Sequence, residues 1–288
     1  MISFKEYINP KVLSEGGNAV DGVTHINQPN VAPTMEVIYK KLLPELGLKK
    51  EDTALLGSTG KKYDDGNSGD IDLAISGSKI IESGKVKDPK QLSSFIAGVA
   101  RKFSDSVKEL KGIGIVSLAF PIVNKDGKQE GERVQLDLML SDNLEWSKWI
   151  YHSPAEWESE YKGLYRNAML SAISHYAGRN GDDVNWNSKL LNFSTGLHDV
   201  NFTRNGKRGL LKHGKEVSRK FLSKDPQGVI DVLLGPKFKA SDILTWEDII
   251  HAVNSKDFLW KKYKKEIFAL AAKDIEHKGY PVPKEIKQ

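Results

Sequence analysis

Two aspartates separated by one isoleucine are the residues of this sequence best suited to chemistry. Asp70 and Asp72 flank Ile71, and Leu73-Ala74-Ile75 follows. In a β-strand side chains alternate between faces, so both carboxylates are expected on one face while Ile71 and Leu73 point into a core. Neighbouring carboxylates repel each other unless a cation lies between them. Oxygen ligands held close together on a rigid element suit a hard divalent metal ion.

A glycine-serine pair precedes the aspartates. The apolar run Ala54-Leu55-Leu56 ends in Gly57-Ser58, and eleven polar, glycine-rich residues separate Ser58 from Asp70. The pattern predicts a strand, a loop and a second strand over residues 53–75.

A third carboxylate lies on a later predicted strand. Residues 133–140 alternate between polar and apolar side chains and place Asp137 among apolar neighbours. An unpaired buried charge is costly, so Asp137 needs a partner or a metal ion. We expect it to be the third ligand of one site.

The combined pattern resembles the nucleotidyltransferase superfamily that includes DNA polymerase β. The resemblance rests on Gly57-Ser58, the spacer, the Asp70-x-Asp72 pair and the later Asp137. It covers mainly residues 53–75 and 131–140, within a core placed at about 34–142. Residues 1–33 and 143–288 resemble no family that we can name.

The resemblance implies a role for each carboxylate. The reaction would be attack of a hydroxyl on the α-phosphorus of a nucleoside triphosphate, with two Mg²⁺ or Mn²⁺ ions as cofactors. Asp70 and Asp72 would bridge both ions. Asp137 would hold the ion that lowers the pKa of the acceptor hydroxyl, and it could accept the hydroxyl proton.

The resemblance also implies a triphosphate site in the loop. Ser58 and the amides of Gly57 and Ser58 would bind the terminal phosphates, at a turn where glycine allows close backbone approach. Lys61 and Lys62 would add positive charge near the pyrophosphate.

Each of these residues also has a purely structural interpretation. The aspartate pair could be a solvated turn, Asp137 a surface salt-bridge residue, Ser58 a turn former, and Lys61 and Lys62 ordinary loop charges. Residues Lys162, Tyr165 and Arg166, on one predicted helix, could touch a base or a phosphate, although packing of the helix face explains them as well.

The resemblance implies an α+β fold, namely a polymerase β-like core with a mixed or antiparallel sheet and helices on one face. A mainly helical, basic C-terminal domain would follow. We expect an N-terminal extension at 1–33, the catalytic core at 34–145 and the C-terminal domain at 146–288.

Periodicity and turn signals predict the individual elements. Helices are predicted at 34–48, with Thr34 as N-cap and a break at Pro44, and at 91–107, 161–177, 225–234, 245–254 and 256–277. Strands are predicted at 112–123 and 133–140, joined by a hairpin turn at 125–128.

Charge is unevenly distributed along the 288 residues. Residues 1–150 carry 20 Lys and Arg against 21 Asp and Glu, a net charge of −1, and residues 151–288 carry 23 against 17, a net charge of +6. The basic half contains a cluster of cationic side chains (Arg204, Lys207, Arg208, Lys212, Lys215, Arg219, Lys220) and aromatic residues (Trp186, Phe193, Phe202 and the segment 260–265).

Aromatic faces beside cations suit single-stranded nucleic acid. RNA or another nucleic acid is therefore the expected acceptor. A small-molecule or protein acceptor, as in antibiotic-modifying and antitoxin-type relatives, is an alternative, and so is a nucleic-acid-binding protein on a degenerate transferase core.

Composition excludes several other classes of protein. The chain has no cysteine, which rules out disulfides, zinc-thiolate sites and thiol nucleophiles. No apolar run approaches the ~18 residues of a membrane span, and the N-terminus lacks a signal-peptide pattern. A cytoplasmic location is expected.

Overall fold

The structure, a computed structural model, describes residues 19–181, 185–203 and 215–287, and it is α+β. These residues form two compact units, 19–160 and 161–287. In the part of the chain that is described, no helix is both long and apolar enough to cross a membrane. The domain boundaries expected from the sequence stay predictions.

The first unit is built on a mixed five-stranded sheet. Its strands are β2 (Thr53–Leu55), β4 (Asp70–Ser76), β5 (Val107–Leu110), β6 (Ile115–Val123) and β7 (Gln129–Ser141). The order across the sheet is β2-β4-β7-β6-β5, and only the β4–β7 pair is parallel. A separate two-stranded ribbon pairs β1 (Ile26–Asn27) with β3 (Asn67–Ser68).

Helices accompany this sheet. They are α1 (Gln28–Val37), α2 (Leu43–Leu46), α3 (Gly77–Glu82), α4 (Leu92–Ala100) and α5 (Leu144–Ile150), with a π-helical turn at Ile38–Leu42. Apolar residues of α1 and α4, such as Met35 and Ile96, form one core with Ile71, Leu73 and Leu136 of the sheet. This burial orients the opposite side chains of β4 and β7 toward the other face.

The predicted start of the first helix was wrong. Thr34 does not cap it, since α1 begins at Gln28 with Pro29 in its first turn. A proline there is tolerated because the first helical N–H groups have no partner within the helix. The predicted break at Pro44 is instead a change of helix type, because a π-helical turn at Ile38–Leu42 precedes the short helix that contains Pro44. Gly47 ends this helix with a left-handed φ of 76°.

The helix predicted at 91–107 is also shorter than expected. It ends at Ala100, and Val107 already begins β5. The polar segment Ser104-Asp105-Ser106 intervenes, and Ser104 there accepts and donates local hydrogen bonds that favour a turn over a helix. The predicted hairpin turn is confirmed, since Asn124 and Lys128 pair around Gly127, whose φ is 77°.

The second unit contains helices and a four-stranded sheet. The helices are α6 (Gly163–Tyr176), α7 (Pro226–Leu233), α8 (Trp246–Asn254) and α9 (Lys264–His277). The sheet has the order β11-β10-β9-β8, with β8 at Asn180–Gly181, β9 at Asn185–Asn192, β10 at Gly196–Thr203 and β11 at Lys215–Ser223.

Within the half expected to be mainly helical, the sequence predicts possible short strands only at 190–220, whereas the described strands of this sheet lie between Asn180 and Ser223. Polar residues such as Asn185, Asn187 and Asn201 occupy its strands, and asparagine is depleted in strands. Cross-strand pairing of the buried Trp186 with Phe202 supplies the apolar contact instead.

Candidate metal centre

The parallel pair β4–β7 brings the three predicted aspartates together. Asp72 lies directly beside Asp137 in the register, and Asp70 lies beside Gln135. One carboxylate oxygen from each aspartate lies within 4.8 Å of the other two. All three side chains are partly buried. The aspartates that the sequence predicted as one site are thus gathered by adjacent strands.

The strands fix which face the aspartates occupy. Ile71 and Leu73 are fully buried in the main core, so Asp70 and Asp72 project to the opposite face. Further along that face, Ala74 packs with Ala54 in a second, smaller apolar cluster. The carboxylates are therefore held by a sheet that is packed on both sides, which limits how far they can separate.

The electrostatics of the site oppose ionisation. Burial raises the pKa of Asp72 well above its ordinary 3.8, and the charges of Asp70 and Asp137 raise it further. Burial also raises the pKa of Asp137, although interactions with the Ser117 hydroxyl and the Gln135 amide act in the opposite direction. A bound cation would reverse both effects, because it favours the charged carboxylates.

Gln135 orients Asp137, a role that the sequence reasoning missed. Its side-chain N–H group donates to both carboxylate oxygens of Asp137, at 3.1 and 3.0 Å. Its oxygen accepts the backbone N–H of Ala19 at 2.7 Å, which fixes which end of the amide faces the carboxylate. Gln135 lies two residues before Asp137, so strand alternation was the signal that places both on one face.

Gly57 lies against the carboxylate of Asp72. A Cβ atom at this position would be 2.9 Å from Asp72 Oδ2, and its φ of 63° is in the left-handed region that favours glycine. The Gly57 N–H donates to the carbonyl of Tyr151 at 3.2 Å, so this amide is already engaged. The structure therefore gives Gly57 a role in close packing, whereas phosphate binding by its amide stays a prediction.

The loop after Gly57 returns to the start of β4. Ser58 is partly buried in a turn, and the neighbouring Thr59 hydroxyl donates to the backbone carbonyl of Asp70 at 2.7 Å. The predicted loop between the two strands thus folds back and brings residues 58 and 59 beside the first aspartate.

The two predicted phosphate-binding lysines extend from the same loop. The Lys61 ammonium donates to the carbonyl of Ser153 at 2.8 Å, and burial lowers its pKa although Glu158 acts in the opposite direction. The Lys62 ammonium forms an ion pair with Glu156 at 3.1 Å. Both lysines are therefore anchored to residues 153–156 and are not loosely solvated.

The aromatic and basic residues of the second half have different surroundings from those expected. Trp186 and Phe202 are buried and stack on each other with ring centroids 5.5 Å apart, which leaves little face for a base. Tyr263 packs against Tyr176, with centroids 5.4 Å apart. Arg219 forms a bidentate pair with Glu216. Arg204, Lys207, Arg208 and Lys212 lie outside the described residues.

Packing holds Tyr165 and Arg166 of helix α6, which begins directly after Lys162. Arg166 is fully buried and donates to the carbonyl of Ile243 at 2.7 Å, and burial lowers its pKa to about 9. Tyr165 is buried and its ring contacts that of Trp246, with centroids 6.1 Å apart. Helix packing therefore explains Tyr165 and Arg166 better than contact with a base or a phosphate does.

The donor set of the site fits a hard divalent cation. Three carboxylates supply oxygen only, which suits Mg²⁺ or Mn²⁺ better than metals that prefer nitrogen or sulfur. Burial, together with the charges of Asp70 and Asp137, raises the pKa of Asp72, and a bound cation would favour the charged carboxylate instead.

The chain was also compared with known proteins. No protein-family model matches it, and no curated protein matches it.

Proposed function

We propose that this protein is a metal-dependent nucleotidyltransferase with a polymerase β-like core. The observation that carries the proposal is the gathering of Asp70, Asp72 and Asp137, whose carboxylate oxygens lie within 4.8 Å of one another on adjacent strands of a mixed sheet. The loop that follows Gly57 returns to the start of β4, so a triphosphate bound to this loop would lie beside the carboxylates.

The proposed reaction joins a nucleoside monophosphate to a hydroxyl. The acceptor oxygen forms a bond to the α-phosphorus, the bond from that phosphorus to the bridging oxygen breaks, and pyrophosphate leaves. Two Mg²⁺ or Mn²⁺ ions, when bound, neutralise phosphate charge and lower the pKa of the acceptor hydroxyl.

The side chains of the site would bind the ions, accept the proton and contact the phosphates. Asp70 and Asp72 would hold both ions. Asp137 would hold the ion that lowers the pKa of the acceptor hydroxyl and would take the hydroxyl proton, and Gln135 keeps its two oxygens in a fixed orientation. Ser58 and Lys61 would contact the terminal phosphates. Lys62, which is held by its ion pair with Glu156, would add its positive charge nearby.

We propose RNA or another nucleic acid as the acceptor. The support is the net charge of +6 over residues 151–288, since a basic surplus attracts polyanions. The burial of Trp186 and Phe202 removes two of the rings that we expected to stack on bases. The charge therefore carries this part of the proposal.

The test is incubation with each of the four α-labelled nucleoside triphosphates and Mg²⁺, with and without total RNA. We expect label to join RNA and pyrophosphate to be released. Label on the protein itself, or on a small molecule from an added extract, would assign the alternative acceptors. Loss of RNA labelling as salt increases would support phosphate contacts.

Asp72→Ala and Asp70→Ala should each reduce transfer to background, because either change removes a shared ligand of the ions. Asp126→Ala is the matched control, since Asp126 is an exposed aspartate of the hairpin turn and should leave transfer unchanged. Thermal melting of each variant checks folding. Full activity in either site variant would contradict the proposal.

A further inference from the structure

Two exposed aromatic side chains lie side by side in the first unit. Three aromatic residues are exposed in the described part of the chain, namely Tyr63, Trp157 and Phe221. Tyr63 is 54% exposed and Trp157 is 59% exposed, and their ring centroids are 5.9 Å apart at an interplanar angle of 62°. Large rings gain free energy when they leave water, so a contiguous exposed pair is suited to binding a flat apolar surface.

Polar contacts hold this pair in place. The backbone N–H of Tyr63 donates to the Glu156 carboxylate at 3.2 Å, and Lys62 binds the same carboxylate at 3.1 Å. The Glu156 N–H donates in turn to the carbonyl of Lys61 at 3.1 Å. The residues that precede each ring are thus fixed to one another, which reduces the entropy that a ligand would have to remove on binding.

The same loop connects the rings to the metal centre. The Thr59 hydroxyl donates to the backbone carbonyl of Asp70. Gly57 forms an isolated parallel β-bridge with His152, which precedes Trp157 in the chain. Tyr63 is four positions after Thr59, which is at most ~14 Å of extended chain. Lys61 and Lys62 lie between these positions along the chain.

We propose that Tyr63 and Trp157 form a stacking surface for the base of the nucleoside triphosphate. This inference rests on the proposed function, because the aspartates would fix the phosphate end of the same molecule. Tyr63 extends from the loop that leaves the metal centre and Trp157 lies against it, so a nucleotide whose phosphates lie at the aspartates can place its base against the two rings.

Stacking of this kind tolerates every base. Each base has a π-face, so binding through Tyr63 and Trp157 discriminates by stacking strength rather than by hydrogen bonding. Purines, which have the larger face, should therefore bind more tightly than pyrimidines. The two lysines would contact phosphate regardless of the base.

The experiment compares binding of two ligands by titration calorimetry with Mg²⁺: a non-hydrolysable ATP analogue and inorganic tripolyphosphate. Tyr63→Ala and Trp157→Ala should each weaken binding of the ATP analogue about 5- to 100-fold, the range expected for loss of one aromatic stacking partner. Tripolyphosphate has no base, so its affinity should stay unchanged in both variants.

Two further variants sharpen the comparison. Trp157→Phe keeps an aromatic face and should retain most of the affinity for the ATP analogue. Phe221→Ala removes the other exposed aromatic ring, which is 55% exposed on β11, and should change neither affinity.

The outcomes separate this inference from the proposed function. Wild-type protein that binds both ligands, with alanine variants that bind the ATP analogue as tightly as wild type, would overturn the stacking surface alone. Equal weakening of both ligands in the alanine variants would also overturn it. Wild-type protein that binds neither ligand would overturn both proposals.

Discussion

At the scale of single residues, the site is defined by three carboxylates that are closer than their charges favour. Burial and the neighbouring charges of Asp70 and Asp137 raise the pKa of Asp72 well above 3.8, and burial raises that of Asp137. A carboxyl group with a raised folded-state pKa binds its proton more tightly when folded. The contribution of these two groups to the stability of the metal-free protein should therefore fall as the pH rises from about 3.8 through the raised pKa values, and the loss is complete above them.

Asp72→Asn tests this consequence. At neutral pH without metal, we expect the variant to melt at a higher temperature than wild type, because it removes a charge that the fold disfavours. The shift should be a few degrees, since 1 kcal/mol corresponds to roughly 2–4 °C in a domain of this size. Mg²⁺ should raise the melting temperature of wild type and leave that of the variant nearly unchanged.

The control is the same pair of scans at a pH near 3.8, where Asp72 is protonated in the wild-type fold. The difference between wild type and Asp72→Asn should then largely disappear. A variant that melts below wild type at neutral pH in the absence of metal would show that the carboxylates do not oppose folding.

At the scale of elements, the parallel pairing of β4 with β7 creates the site. The register places Asp72 beside Asp137, and a shift of one residue would send one of the two to the apolar core. The turn after β2 supports this arrangement, because Gly57 has no Cβ atom and its backbone can pack closely against Asp72 Oδ2.

Gly57→Ala should therefore affect both stability and metal binding. The left-handed φ of 63° costs an alanine about 1–2 kcal/mol, and the added Cβ would lie only 2.9 Å from Asp72 Oδ2, so the carboxylate would have to move. We expect Mg²⁺ affinity to fall by roughly 10–100-fold, as for other changes to residues that orient ligands. Calorimetry measures the affinity, and thermal melting measures the stability.

Gly127→Ala is the matched control for Gly57→Ala. Its φ is 77° and nothing lies within 4 Å of a Cβ built there, so it introduces backbone strain without contact to the site. This variant should lose a similar amount of stability and keep its Mg²⁺ affinity. Equal Mg²⁺ affinities in the two variants would contradict the proposed contact between Gly57 and Asp72.

Sequence patterns predicted the elements that carry the site better than those around it. Alternation over residues 70–75 and 133–140 was sufficient, because a strand with one buried face has a strong period of two. The start of α1 was missed because Pro29 and Pro33 are typical of loops, yet a first-turn proline is compatible with a helix. The bond from Gln135 to Asp137 depends on side-chain orientation, which the sequence pattern does not specify.

At the scale of the whole molecule, the three aspartates and the surplus of positive charge lie in different parts of the chain. The aspartates lie in the unit of residues 19–160, whereas the positive net charge belongs to the later half of the chain. Sequence reasoning linked aromatic residues with cations in that later half. The structure buries Trp186, Phe202 and Tyr165 and instead exposes Tyr63 and Trp157 in the unit that holds the aspartates. Burial is a tertiary property, so composition alone could not distinguish these two sets of rings.

The central claim is that Asp70, Asp72 and Asp137 hold divalent ions beside a bound triphosphate. The most direct measurement is anomalous diffraction from crystals soaked with Mn²⁺ and a non-hydrolysable nucleoside triphosphate. We predict two peaks about 3.5–4 Å apart, each within ligand distance of the aspartate oxygens and of phosphate oxygens. Crystals in which nucleotide is bound but no peak lies among these three carboxylates would contradict the account.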